Sequence, residues 1–269
     1  MEVFILSQTR MPSTDSTMTI DKVAPITLGF WIMKICATTL GETGGDQLSI
    51  TMHVGYALSS VILLGLFALT LSLQLAARRF HPLLYWSVIL TTSTAGTTLS
   101  DFMDRTLGLG YATGAAILAG TLLVVLSAWF LSERTLAVAS IRSRRAEAFY
   151  WAAILVSNTL GTALGDFLAD DSGLGFLSGA ALIGAAIALI ALLSVATRLN
   201  RAALFWLAFV LTRPFGATFG DLLTKPHASG GLDLGTADAS LVLATLLVSL
   251  LLYSVARQRR QATAASQAR

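Results

Sequence analysis

One pattern constrains the fold of this chain more than any other: Gly-x-x-x-small-Asp, repeated four times at 41–46, 96–101, 161–166 and 216–221. The small residue is Gly45, Ser100, Gly165 or Gly220, and each copy closes on Asp46, Asp101, Asp166 or Asp221. A tryptophan stands ten residues ahead of each leading glycine (Trp31, Trp86, Trp151, Trp206), so Trp and Asp are 15 residues apart every time. A fixed internal period marks a repeat architecture. An acidic residue set in apolar surroundings is its most informative chemistry.

Those surroundings are membrane-like. The 269 residues are 55% hydrophobic and 12% charged, with a mean hydropathy of +0.73, against about 25% charged residues in soluble domains. Apolar runs cover 54–76, 109–131, 174–196 and 239–256, and about 20 such residues span a bilayer as a helix. A polytopic, all-α membrane protein follows. The single cysteine, Cys36, excludes an internal disulfide and a cysteine metal cluster; a buried, inert thiol is expected. Residues 1–22 are polar and Ser/Thr-rich, and read as a disordered cytoplasmic leader, with Met11 or Met18 as possible true starts.

Each repeat holds two helices. The first runs from an aromatic-Trp pair (Phe30-Trp31, Tyr85-Trp86, Tyr150-Trp151, Phe205-Trp206) to the Asp. The second opens at Gly55-Tyr56, Gly110-Tyr111 and Gly175-Phe176, nine residues after the Asp; in the fourth copy Gly235 follows Asp221 by 14. The tryptophans are 55, 65 and 55 residues apart, so the chain divides into two halves of two repeats. These are residues 23–132 and 148–257, joined by a basic cytoplasmic linker at 133–147 and followed by a cytoplasmic tail at 258–269. Eight transmembrane helices result, as four parallel two-helix repeats with the symmetry axis along the membrane normal.

The termini and the loops after the second, fourth and sixth helices hold 14 of the 18 basic residues, among them Arg78, Arg79, Arg142, Arg198 and Arg201. By the positive-inside rule both termini are cytoplasmic and the Asp ends face outward. The second helix of each repeat is nearly pure Leu, Ala, Val and Ile, suited to lipid, whereas the first is studded with Thr, Ser, Gly and charge. The first helices are therefore expected inside and the second outside. Trp at the cytoplasmic ends reads as an interfacial anchor.

The Asp lies roughly 22 Å beyond its Trp. The Gly-x-x-x-small pair before it suits close helix packing. Thr39, Thr94 and Thr159 stand seven residues before their Asp, and Glu42, Thr97 and Thr162 four before, giving an oxygen-rich stripe. The Asp itself reads either as a cap for the following turn or as a site residue; a carboxylate at a helix C-terminus opposes the dipole, yet it is placed there four times. Converging carboxylates need a proton or a cation. Asp104 and Asp170 add acid near the same level. Oxygen ligands suit magnesium, calcium or manganese, and His53, if near, would favour manganese. Lys34 and Arg213 break the symmetry. Arg213-Pro214 replaces a Ser/Thr/Asn-Thr pair, Pro214 should kink its helix, and an Arg213–Glu42 bridge is expected.

The aromatic-Trp start, the Thr-x-Gly step and the closing Gly-Asp, with Lys22-Val23-Ala24-Pro25-Ile26-Thr27 and Phe30-Trp31-Ile32-Met33-Lys34-Ile35 at the opening, resemble the bacterial membrane-anchored protein family built from a two-helix repeat of unknown function. The resemblance covers residues 22–257 and implies an eight-helix inner-membrane protein, without an activity to carry over. From the residues alone, no constellation for catalysis, nucleotide binding or nucleic-acid binding is present, and no tightly bound cofactor is expected. The expectation is a divalent metal-cation transporter. Asp46, Asp101, Asp166, Asp221 and Glu42 would be its ligands, with Thr39, Thr94, Thr159, Lys34, Arg213, Asp104, Asp170 and His53 along the path or in coupling to protons. A cation channel with an acidic ring and a non-transporting scaffold are the alternatives.

Overall fold

The computed structural model describes residues 24, 26–77, 80–138, 141 and 143–267. The expected leader over 1–22, and the linker and loop residues Arg78, Arg79 and Arg142, lie outside them. The described residues form eight long helices and no strand: α1 (Leu28–Asp46), α2 (Tyr56–Ala76), α3 (Pro82–Asp101), α4 (Tyr111–Glu133), α5 (Arg144–Asp166), α6 (Gly175–Ala196), α7 (Arg201–Thr224) and α8 (Thr236–Gln267). Six of them, all but α1 and α3, are long and apolar enough to cross a membrane. α1 and α3 fall short in composition because their Thr, Ser and Gly face inward.

The odd-numbered helices form a closed ring, α1 against α3, α3 against α5, α5 against α7 and α7 back against α1. Each even-numbered helix covers the inner helix of the following repeat: α2 lies on α3, α4 on α5, α6 on α7 and α8 on α1. The fourth repeat thus returns onto the first, and the bundle is cyclic in packing as well as in sequence. The inner and outer roles are as the composition requires. About two-thirds of the α5 span is buried, against 17–28% of the spans in α2, α4, α6 and α8.

The leading glycine of each motif is what closes the ring. A β-carbon at Gly96 would stand 3.0 Å from the backbone of Asn158, and one at Gly216 would meet the Thr38 backbone at 2.9 Å. Gly41 meets the Ser93 backbone at 3.0 Å in the same way, and Gly161 packs against the side chains of Arg213 and Pro214. Each motif glycine therefore receives the residue seven positions after the next repeat's tryptophan: Thr38, Ser93, Asn158 or Arg213. Backbones approach at a small-residue contact, as is usual between membrane helices.

The tryptophans depart from the expected anchor role. Trp86, Trp151 and Trp206 are buried, and Trp31 is half-buried. With Phe30, Tyr85, Tyr150 and Phe205 they make a continuous set of edge-on and tilted ring contacts across the Trp end. The Tyr85 and Tyr150 hydroxyls are hydrogen-bonded at 2.7 Å. The reason lies in the layering: the outer helices take the lipid-facing surface, so indoles on the inner helices pack against one another. Edge-to-face geometry is the preferred arrangement for such pairs.

The inner helices also do not end on their Asp. In the first three repeats the helix widens into one π-turn directly after it, Gln47–Thr51, Phe102–Thr106 and Phe167–Asp171. The carboxylates therefore sit one turn inside the helix end, which weakens the dipole argument made from sequence. In the fourth repeat α7 runs through Pro214 to Thr224, and a loop with a 3-10 turn at His227–Ser229 replaces the π-turn. Leu232 and Leu234 amides donate to the Leu222 and Leu223 carbonyls, folding this loop back on α7.

Candidate cation site at the Asp end

Because the four repeats are in register, Asp46, Asp101, Asp166 and Asp221 arrive at one level on the ring, each no more than 4% exposed. Two basic residues join them in pairs. Arg105 Nε lies 3.0 Å from Asp101 and Nη2 lies 3.3 Å from Asp166. Lys225 Nζ lies 2.9 Å from Asp46 and 3.2 Å from Asp221. Both cations stand four residues after their own Asp, on the same helical face, and both reach on to the Asp of the next repeat. Repeats 1 and 3 carry Ile50 and Asp170 at that position. The layer is consequently twofold rather than fourfold. The sequence carries this signal in the Asp101-x-x-x-Arg105 and Asp221-x-x-x-Lys225 spacings.

The two bridges are unlike. The Arg105 guanidinium is bracketed by Tyr56 and Tyr111 and donates to the Tyr56 hydroxyl. Both cations are partly exposed, the Arg105 side chain by a third and that of Lys225 by about a quarter, and Lys225 lies one residue beyond the end of α7. Burial alone would lower its pKa, but Asp221 and Asp46 override that and raise it above the ordinary lysine value, so the ammonium is kept charged.

One turn further in, the expected Arg213–Glu42 pair is formed at 3.0 Å. Arg213 is fully buried and reaches all three other inner helices. Its guanidinium donates to the carbonyls of Thr38 at 3.1 Å and Ser93 at 3.3 Å, to the Thr162 hydroxyl at 2.7 Å, and to Thr97 Oγ1. Thr97 and Thr162 in turn donate to Glu42. A lone guanidinium in a membrane interior is costly; here five acceptors on three helices compensate it. Planar, multiply donating geometry is what an arginine supplies and a lysine does not.

Lys34 lies deeper still. Its ammonium donates to Asn158 Oδ1 at 3.3 Å and stands 4.2 Å over the Phe209 ring, and among the described residues it forms no salt bridge. Asn158 passes the contact on to Thr92.

Other expected participants are placed elsewhere. The hydroxyls of Thr39, Thr94 and Thr159 turn back on the carbonyls of Ile35, Leu90 and Leu155 in their own helices, the usual fate of Thr in a membrane helix. The interior oxygen set is Thr38, Thr97 and Thr162 instead. His53 is exposed in a left-handed turn, at φ 56°, and is not gathered into the acidic layer. Asp170 is exposed. Asp104 is buried but accepts from Ser100 in its own π-turn. Cys36 is buried, as expected.

What remains is a compact ligand set. Oxygens of Glu42, Asp46 and Asp221 lie within 4.8 Å of one another, all three side chains buried. Three carboxylates with neighbouring hydroxyls are a donor set for a hard divalent ion. Across the whole layer, Glu42 and the four Asp face three cations, Arg105, Lys225 and Arg213. Two negative charges are left for protons or an ion to balance.

The profile of one family matches this chain along four segments, residues 29–80, 84–135, 149–200 and 204–260. It is described as a Repeat of Unknown Function (DUF347). The chain belongs to this family. The four matched segments coincide with the inner–outer helix pairs, and the resemblance noted from the Trp and Gly-Asp motifs is to the same repeat. No curated protein and no solved structure matches the chain.

Proposed function

We propose that this protein is a transporter of small hard divalent cations, of the manganese, magnesium or calcium class, that exchanges the ion for protons across a bacterial inner membrane. The observation that carries the reading is the Glu42–Asp46–Asp221 group, with its oxygens within 4.8 Å and two of its members held by the single flexible cation Lys225. A lysine tethered at the rim is a counter-charge that can leave. When the ion enters, three carboxylates transfer to it and the ammonium swings to water; when protons replace the ion, the ammonium returns. Arg105, flanked by Tyr56 and Tyr111, bridges the other Asp pair.

The rest of the molecule supports this reading. Aromatic side chains close the Trp end, and ion pairs close the Asp end, which suits alternating access better than a standing pore. Arg213 across the axis repels a cation that is not accompanied by carboxylate charge. The basic residues cluster at the Trp end, so that end and both termini are assigned to the cytoplasm, and the Lys225 site faces outward. Export is the direction adopted.

A non-transporting scaffold is the second reading, favoured by the fact that each Asp already has a cationic partner. Purified protein in liposomes separates the two. Manganese, magnesium or calcium should move only when a pH gradient is imposed, and Asp46→Asn or Asp221→Asn should abolish the movement. A scaffold would move none of the three ions, and a channel would pass them without the gradient.

A further inference from the structure

The outer helices differ at one register position, and the difference leaves a crevice in the bundle. Nineteen residues after Gly55, Gly110, Gly175 and Gly235, on the four outer helices, stand Gln74, Trp129, Ser194 and Ser254. Trp129 is buried between α5 and α7, its ring 6.4 Å from Tyr150 and 5.7 Å from Trp206. Gln74 is likewise buried in the seam below the first outer helix. In the fourth copy Ser254 lies on α8, which packs on α1, and α1 carries buried Met33 at the register position where α7 carries Ala208. In the third copy neither substitution is made. A crevice with a cavity volume of about 190 Å³ runs between α6, α7 and α1 at the Trp end, lined by Trp31, Ile35, Ile187, Ser194, Ala208 and Thr212 among others.

Its chemistry fixes the kind of occupant. The two hydroxyls in its wall are committed to their own helices, Ser194 to the Ala191 carbonyl at 2.6 Å and Thr212 to the Phe209 carbonyl at 2.7 Å. No polar group is presented to a ligand, so the occupant is a hydrocarbon. At the rim Leu28 and Val195 are 44% and 43% exposed, on the face that the outer helices turn to lipid. The lining residues on α6 extend from Ile187 to Val195, roughly 12 Å of helix, a length suited to a chain lying along the bundle. Exposed Arg198 lies in the loop two residues past the end of α6, and half-buried Arg201 opens α7 one turn before the lining residue Leu204. Both arginines thus stand on the short connection between the two helices that wall the crevice, Arg198 in the 197–200 loop and Arg201 at the first residue of α7.

We propose that this crevice binds one acyl chain of an anionic phospholipid, whose phosphate is held by Arg198 and Arg201. The site is separate from the carboxylate layer and does not depend on what that layer carries. Basic residues at a membrane surface each favour an anionic headgroup, and a seam between inner helices filled by lipid in one repeat and by an indole in another keeps the ring closed on all sides.

The test uses the full chain purified in detergent, with phosphatidylglycerol and phosphatidylcholine as probes, read by native mass spectrometry and by the thermal shift on lipid addition. The wild type should retain phosphatidylglycerol over phosphatidylcholine. Ser194→Trp, which copies the second repeat, should lose the bound lipid, and Ala191→Phe fills the same space should the first variant not fold. Arg198→Gln with Arg201→Gln should keep a chain bound but lose about thirtyfold in headgroup preference. Equal retention of the two lipids by the wild type would overturn the proposal. So would undiminished phosphatidylglycerol on a folded Ser194→Trp or Ala191→Phe protein, or a double arginine variant with its preference intact.

Discussion

Replacing Glu42 tests how the ring is held at its centre. Among the described residues Glu42 is the carboxylate paired with Arg213, and both side chains are buried. Glu42→Ala removes that partner and leaves a buried guanidinium with only neutral acceptors: two carbonyls and the hydroxyls of Thr97 and Thr162. Breaking a buried pair from one side costs about 3–5 kcal/mol. Glu42→Gln keeps an oxygen at the same reach and so restores a hydrogen bond to a charged donor, worth about 1.5–3 kcal/mol. Its cost should then be about 1–3 kcal/mol, by difference of the same two magnitudes. Adding Arg213→Met to Glu42→Gln removes the remaining charge and should recover much of the loss. Reversible unfolding in mixed detergent–SDS micelles measures all three. If Glu42→Ala falls within about 1 kcal/mol of wild type, or if the double variant is less stable than Glu42→Ala, the central strut is not what holds the four helices together.

Three further outcomes follow from the packing and charge. Gly216→Leu should cost more than the about 1–3 kcal/mol of ordinary overpacking, since even a β-carbon meets Thr38 backbone, and the loss should appear as lowered thermal stability with unfolding at the α1–α7 seam; a tolerated leucine would count against the cyclic contact. Trp129→Ala should cost about 3–5 kcal/mol, whereas Trp31→Ala, half-buried, should cost less, as read from melting temperatures of the two variants side by side. Lys225 has a raised pKa in the folded protein, so its bridge is fully present below the unfolded value of about 10.4 and fades only as pH rises above it toward the folded value. The stability gap between wild type and Lys225→Met should therefore be constant from pH 7 to about 10; a gap that closes below pH 9 would place Lys225 outside the carboxylate pair.

The fold was legible because the repeat carried its own alignment. The 15-residue Trp–Asp interval and the contrast between polar and purely apolar helices identified inner and outer layers, and the Arg213–Glu42 bridge followed from counting turns. What the sequence did not reveal is tied to contacts between repeats. The tryptophans looked like interfacial anchors because their place near basic loops is where anchors occur, and only the outer layer explains why they are buried. Thr39, Thr94 and Thr159 share a helical face with the Asp by spacing, but a threonine hydroxyl can close on its own helix, and spacing does not reveal that choice. The twofold character of the acidic layer was within reach. Arg105 and Lys225 stand four residues after Asp101 and Asp221, a spacing that forms pairs on any helix. Which neighbouring Asp each cation reaches depended on the ring closing in one direction.

In the proposed function Lys225 is displaced when a cation enters among Glu42, Asp46 and Asp221, and the reactivity of its amine reports this directly. Bridged by two carboxylates, the ammonium is held protonated and is a poor nucleophile; released to water, it acylates more readily. Labelling of Lys225 by an amine-reactive ester, quantified by peptide mass spectrometry in liposomes at fixed pH, should rise saturably as manganese is added. The rise should be absent in Asp46→Asn and Asp221→Asn. Labelling that does not respond to manganese, magnesium or calcium while any of them crosses the membrane would contradict the displacement.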